Sequence, residues 1–132
     1  MSPVGQTAAS GWQAGVRRTF PVATETVWNL LLSAEGQALW LGAPVTLKPG
    51  APYALPDGTT GEVRVVSDRH LRATWAPPGW TGESTIQLRV LQAASGATVA
   101  FHHDRLANTD ERERALAHWR DVLEALGRRL NP

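Results

Sequence analysis

The side chains of this sequence that could carry acid–base or metal chemistry gather most densely at His102, His103 and Asp104. A histidine titrates near neutrality and can act as acid, base or metal ligand. Consecutive strand residues point to opposite faces, so His102 and His103 cannot hold one metal from one side, and no metal is expected. The alternation of Val99, Phe101 and His103 puts His103 on the inner face. It is therefore read as a pocket group that orients a ligand or exchanges a proton, or as a core histidine satisfied by hydrogen bonds; the frequency with which buried polar groups are paired favours the second reading. His70 is expected at a strand junction facing solvent, and His118 on a helix flank. Arg18 shares a face with Val16 and Phe20 but is expected to turn outward, as is Glu83. The chain has no Cys, which removes thiol nucleophiles, disulfides and thiolate metal sites together. No Gly-x-Ser-x-Gly elbow and no phosphate loop is present, so no cofactor is expected and no catalytic residue is assigned beyond His103 as a weak candidate.

The aromatic residues are the other distinctive feature. Six are Trp, against one Tyr and two Phe. Trp28, Trp40, Trp75 and Trp119 fall on elements that should face the interior, where they either fill the core or line a pocket. A dry void of about 300 Å³ would cost on the order of 7 kcal/mol. That approaches a whole domain's stability of roughly 5 to 15 kcal/mol, so rings, water or a ligand must occupy most of such a space.

The elements that would position these residues are legible from periodicity. Residues 1–15 lack it and read as a flexible lead-in, with a single domain from 16 to 132. Val16 to Phe20 forms a short strand that Pro21 ends. Thr24 is a candidate N-cap for a helix whose stripe is Val27, Leu30, Leu31 and Ala34, and Ser33 caps a second short helix running to Leu41, with Gly42 past its end. From Pro44 to His103 the period is two, with turn signals at 48–50, 56–58, 76–79 and 95–96. Asn108 or Thr109 opens a final helix with stripe Leu116, Trp119, Val122, Leu123, Leu126 and Leu130, which must lie across the apolar face of the sheet.

Length and charge narrow the function. The 132 residues suit one domain, and 42% hydrophobic with 19% charged residues supports a real core. A net charge of +1 gives no field for nucleic acid or an anionic membrane. Without a basic start or a long apolar run, a cytoplasmic location is expected.

Four groups of residues resemble a known family: Arg18-Thr19-Phe20-Pro21; Val27-Trp28 with Ser33-Ala34-Glu35 and Trp40-Leu41-Gly42; Gly61-Glu62-Val63 leading through Leu71 to Thr74-Trp75; and His103 and Leu106 before Glu111-Arg112-Glu113-Arg114 and Trp119. Together they are similar to the SRPBCC or START-like superfamily, in particular its bacterial homologues of the activator of the ninety-kilodalton heat-shock-protein ATPase. The resemblance implies an α+β helix-grip fold: a curved antiparallel sheet of about six to seven strands wrapped around a long C-terminal helix, with two short helices after the first strand. It also implies a cavity for hydrophobic molecules such as lipids or polyketides.

The leading expectation is accordingly binding of a small hydrophobic or aromatic molecule between the helix and the sheet, lined by Trp40, Trp75, Phe101, His103 and Trp119. The alternative is a cyclase, dehydratase or hydrolase on a polyketide-like substrate with His103 as acid or base. A chaperone-cofactor role ranks third. Trp80 beside Pro77 and Pro78 would form an apolar tip, which raises the possibility of a homodimer.

Overall fold

A computed structural model describes residues 11–130 together with the backbone of Gln6 and Thr7. Among the described residues the strands are β1 (Gln6–Thr7), β2 (Gly11–Phe20), β3 (Pro52–Ala54), β4 (Thr60–Ser67), β5 (His70–Trp75), β6 (Ser84–Ala93) and β7 (Gly96–Leu106), and the helices are α1 (Thr24–Leu32), α2 (Ala34–Trp40) and α3 (Thr109–Leu130). All pairings are antiparallel in the order β1-β2-β7-β6-β5-β4-β3. The meander expected after Pro44 is β3 to β7, and the first long strand closes on the last. This is the helix-grip fold: α3 lies against β2 and β7, and the sheet curls around it.

The first long strand begins at Gly11, five residues before the expected start at Val16. Period-two patterning is weak there, yet Trp12 pairs with Leu106 and Ala14 with His103, so the ladder of β7 recruits a segment whose composition reads as loop. The remainder of the expected lead-in, except for β1, lies outside the described residues.

Two bulges set the curvature. Between Trp12 and Ala14 of β2 the partner strand spends an extra residue, and Arg105 takes a left-handed φ of 60°. On β4 a shift between Val63 and Val65 makes Val66, not Val65, the residue opposite Leu71. The simple alternation Val63, Val65 therefore holds only as far as the bulge.

The helix signals divide in an instructive way. Ser33 caps α2, its hydroxyl accepting from Gly36 N at 3.1 Å. Gly36 is required there, since a Cβ would meet the Leu30 carbonyl oxygen at 1.7 Å. Gly42 takes the left-handed conformation beyond the helix, with φ of 97°. Thr24, by contrast, does not cap α1. Ala23 holds that position, and the Thr24 hydroxyl accepts from Arg69 Nη1 at 2.8 Å. Asn108 caps α3 through Glu111 N at 2.8 Å, and the Leu116, Trp119, Val122, Leu123 and Leu126 stripe is buried.

The core is one cluster in which Phe20, Leu31, Leu71, Ile86, Leu88, Leu106 and Leu126 are almost wholly buried. The outermost strands are short: β1 has two residues and covers β2 only at Gly11 and Trp12, and β3 has three, the first of them Pro52. No helix among the described residues is long and apolar enough to cross a membrane.

Candidate functional site

The site is built on the inner face of β5, β6 and β7 beneath the first half of α3. Its floor is His103, 1% exposed. The ring is bound on both sides: Trp119 Nε1 donates to Nδ1 at 3.0 Å, and Nε2 lies 2.7 Å from Ser84 Oγ. The Ser84 hydroxyl donates to the Trp75 carbonyl at 2.6 Å. An indole N–H only donates, so Nδ1 must accept. Ser84 has committed its proton, so Nε2–H donates to Ser84 Oγ. These three bonds fix a neutral Nε2–H tautomer. Desolvation first, then the nearby His118 and His102, push its pKa down to about 3. The satisfied core histidine is the reading the geometry supports, and neither nitrogen is free to exchange a proton with a ligand.

The aromatic residues separate into filling and wall. Phe101 stacks on Trp119 at 4.5 Å and 13°, Trp40 lies 6.2 Å from Phe101, and the Trp40 indole donates to Leu31 O at 2.8 Å. Trp40 and Phe101 thus occupy the interior behind Trp119 and do not reach the pocket. α2 ends on Trp40 and packs that indole into the interior, 1% exposed. Trp28 is half-buried on α1, away from this stack.

What remains open is a half-enclosed pocket of about 160 Å³. Of the five residues expected to line a binding site, Trp75, Trp119 and His103 line this pocket, together with Trp80, His118, Leu41, Pro77, Ala115, Thr59, Asp57 and Arg114. Trp80 is a correction: it forms no apolar tip but folds inward, its ring stacked 5.7 Å from His103 at 29°. Gly79 provides the turn with φ of 82°. Glu111 holds the loop down, accepting from Thr81 N at 3.0 Å and from Ala107 N at 3.1 Å while itself 6% exposed. The only large hydrophobic side chain well exposed among the described residues is Leu91.

His118 is also more than a flank residue. One side of it is open to solvent, while the other meets Trp119 edge-on at 4.4 Å and Trp75 at 5.7 Å. Desolvation lowers its pKa, opposed by a hydrogen bond to the Trp40 backbone and by Asp121 and Asp57.

Thr59 comes from the β3–β4 turn. Asp57 Oδ1 accepts from Thr59 N at 2.9 Å, and Leu55 N donates to Thr59 O at 2.8 Å. The backbone is thereby fixed and the residue is 0% exposed, yet its hydroxyl has no partner. Periodicity gave no sign of Thr59, because its place depends on turn geometry.

The remaining candidates lie elsewhere. Arg18 keeps the face that alternation gives it, opposite Val99, but its guanidinium leaves between β2 and α3. It lies over the Phe20 ring at 5.1 Å and in space that a Cβ on Gly127 would invade. Glu83 is on the outer face with Arg64, Arg72 and Arg105. His70 is half-buried with Nε2 3.1 Å from Gln87 Oε1, and His102 points outward, 3.9 Å from Asp104. Among the described residues no three His, Asp or Glu side chains converge as a metal site would require.

Comparisons with known proteins agree with this architecture. CalU16 from Micromonospora echinospora matches at 20% identity and TM-score 0.81, over 92% of this chain and 79% of that one. CV1439 from Chromobacterium violaceum matches at 17% identity and TM-score 0.74, over 91% and 97%. PFC0360w, an HSP90 activator from Plasmodium falciparum, matches at 20% identity and TM-score 0.71, over 89% and 97%. No curated protein sequence matches. These likenesses concern the fold, while the family is set by the sequence itself: residues 21–131 match the model for activator of Hsp90 ATPase homolog 1-like proteins, and the chain belongs to that SRPBCC/START-like family.

Proposed function

We propose that this protein binds a small hydrophobic molecule in the pocket between α3 and the sheet, without covalent chemistry on it. The observation that carries this reading is the half-open space of about 160 Å³ walled by Trp75, Trp80 and Trp119. Had it been a closed dry void it would cost about 4 kcal/mol by the usual cavity slope, and aromatic walls with a few polar groups are what small-ligand sites present. His103 serves as wall and scaffold in this reading. Its two committed nitrogens and lost basicity argue against the cyclase or hydrolase alternative, which needs a free acid or base.

Ala115 is buried on α3 and lines the pocket. Ala115→Leu should fill the space, raise the melting temperature and abolish the binding of small hydrophobic compounds measured by calorimetry. Binding that survives the filled pocket at full strength would place the site elsewhere.

A further inference from the structure

The pocket is too small for most hydrophobic ligands. Sites for drug-sized molecules span roughly 300 to 1,000 Å³, whereas a cavity of about 150 Å³ accommodates benzene. At about 160 Å³, this half-open pocket encloses one aromatic ring, whereas an acyl chain or fused rings would leave much of their apolar surface outside it. Its walls suit a ring, since indole faces and edges favour stacked or edge-on aromatic partners.

The polar content of the site is equally restrictive. The hydroxyl of Thr59 is fully buried and unpartnered, an arrangement that costs free energy unless something completes it. A hydroxyl both donates and accepts, so its best complement is another hydroxyl. The floor histidine is uncharged. Of the other ionisable residues lining the pocket, Arg114 is exposed and already paired with Asp110, desolvation lowers the pKa of His118, and Asp57 is exposed with Oδ1 accepting from Thr59 N, so no buried counter-charge awaits an ion. A carboxylate or ammonium would lose hydration without gaining a counter-charge.

We infer that the ligand is a neutral single-ring hydroxyaryl compound of the phenol class, its ring between the tryptophans and its hydroxyl reaching the buried Thr59 Oγ1 as the 56–59 turn yields to it. This inference rests on the pocket being a binding site, as proposed above, and adds the chemical class.

Calorimetry of the full chain with five probes tests it: p-cresol, its isostere p-xylene, benzoate, 2-naphthol and palmitate. p-Cresol should bind on the order of fivefold more tightly than p-xylene, the worth of one hydrogen bond, and the other three should not bind. Thr59→Val should abolish the p-cresol advantage while keeping p-xylene binding, and Thr59→Ser should restore it. Because Thr59→Val also removes an unpartnered buried hydroxyl, its melting temperature should equal or exceed the parent's; a clear fall would show the hydroxyl to be satisfied within the fold and overturn the inference. Equal affinity for p-cresol and p-xylene, or an advantage that survives Thr59→Val, overturns it as well. Preferred binding of benzoate, 2-naphthol or palmitate refutes the chemical class while leaving a binding pocket, whereas no binding by any probe refutes both.

Discussion

His103 shows how a residue of catalytic type becomes structural. In the unfolded chain its imidazole titrates near 6.5, and in the fold near 3. Between those values the unfolded state binds the extra proton. Stability is therefore complete above about pH 6.5 and falls as pH drops toward 3, by up to about 1.4 kcal/mol per unit from this residue. Denaturant titrations at pH 7, 6, 5 and 4 should show the loss, and His103→Gln should flatten the difference while lowering stability at pH 7, since Trp119 and Ser84 lose their partner. A variant as acid-sensitive as the parent would count against this assignment. The inner placement of His103 was legible because alternation holds along β7 from Ala97 to His103, short of the bulge that follows it. Its bonding was not, since Trp119 Nε1 and Ser84 Oγ arrive from α3 and β6, distant in sequence. The same limit applies to Thr59, and to Trp40 and Phe101, whose inward faces are legible but whose mutual stacking behind Trp119 depends on how closely α2 approaches.

At the scale of elements, apolar stripes and punctuation carried most of the information. The α3 stripe, the Ser33 cap and Gly42 follow from local rules. The 76–83 loop does not. Trp80 turns inward because a carboxylate on the first turn of α3 accepts from an amide of that loop, and no periodicity links Glu111 to Thr81. Glu111→Ala should leave two backbone N–H groups without their acceptor, costing about 1 to 3 kcal/mol. It should also speed hydrogen exchange at Thr81 and shift Trp80 emission to the red. Exchange at Thr81 as slow as in the parent would mean that the loop is held by something other than Glu111.

For the whole molecule, the balance between filling and leaving space sets what the fold can do. A helix-grip sheet closed by β2 on β7 encloses more volume than its side chains must fill. Here Trp40, Phe101 and Trp119 take most of it and the pocket is the remainder. A ligand that fills the remainder stabilises by mass action: at a hundred times its dissociation constant the gain is about 2.7 kcal/mol. For a domain of this size that corresponds to a rise in melting temperature on the order of 10 °C, which differential scanning fluorimetry would register. A ligand bound by calorimetry at that excess with no thermal shift would have to bind the unfolded chain as well.

The sheet finishes on each side in its briefest strands, two-residue β1 and three-residue β3, the latter opened by Pro52, which has no amide hydrogen to offer. A long free ladder invites another chain to add a strand. Because β1 covers β2 only at Gly11 and Trp12, the rest of that edge among the described residues is flanked by α3 and carries the exposed Arg17 and Arg18, so charge and a neighbouring helix, more than a covering strand, stand in the way of another chain pairing there.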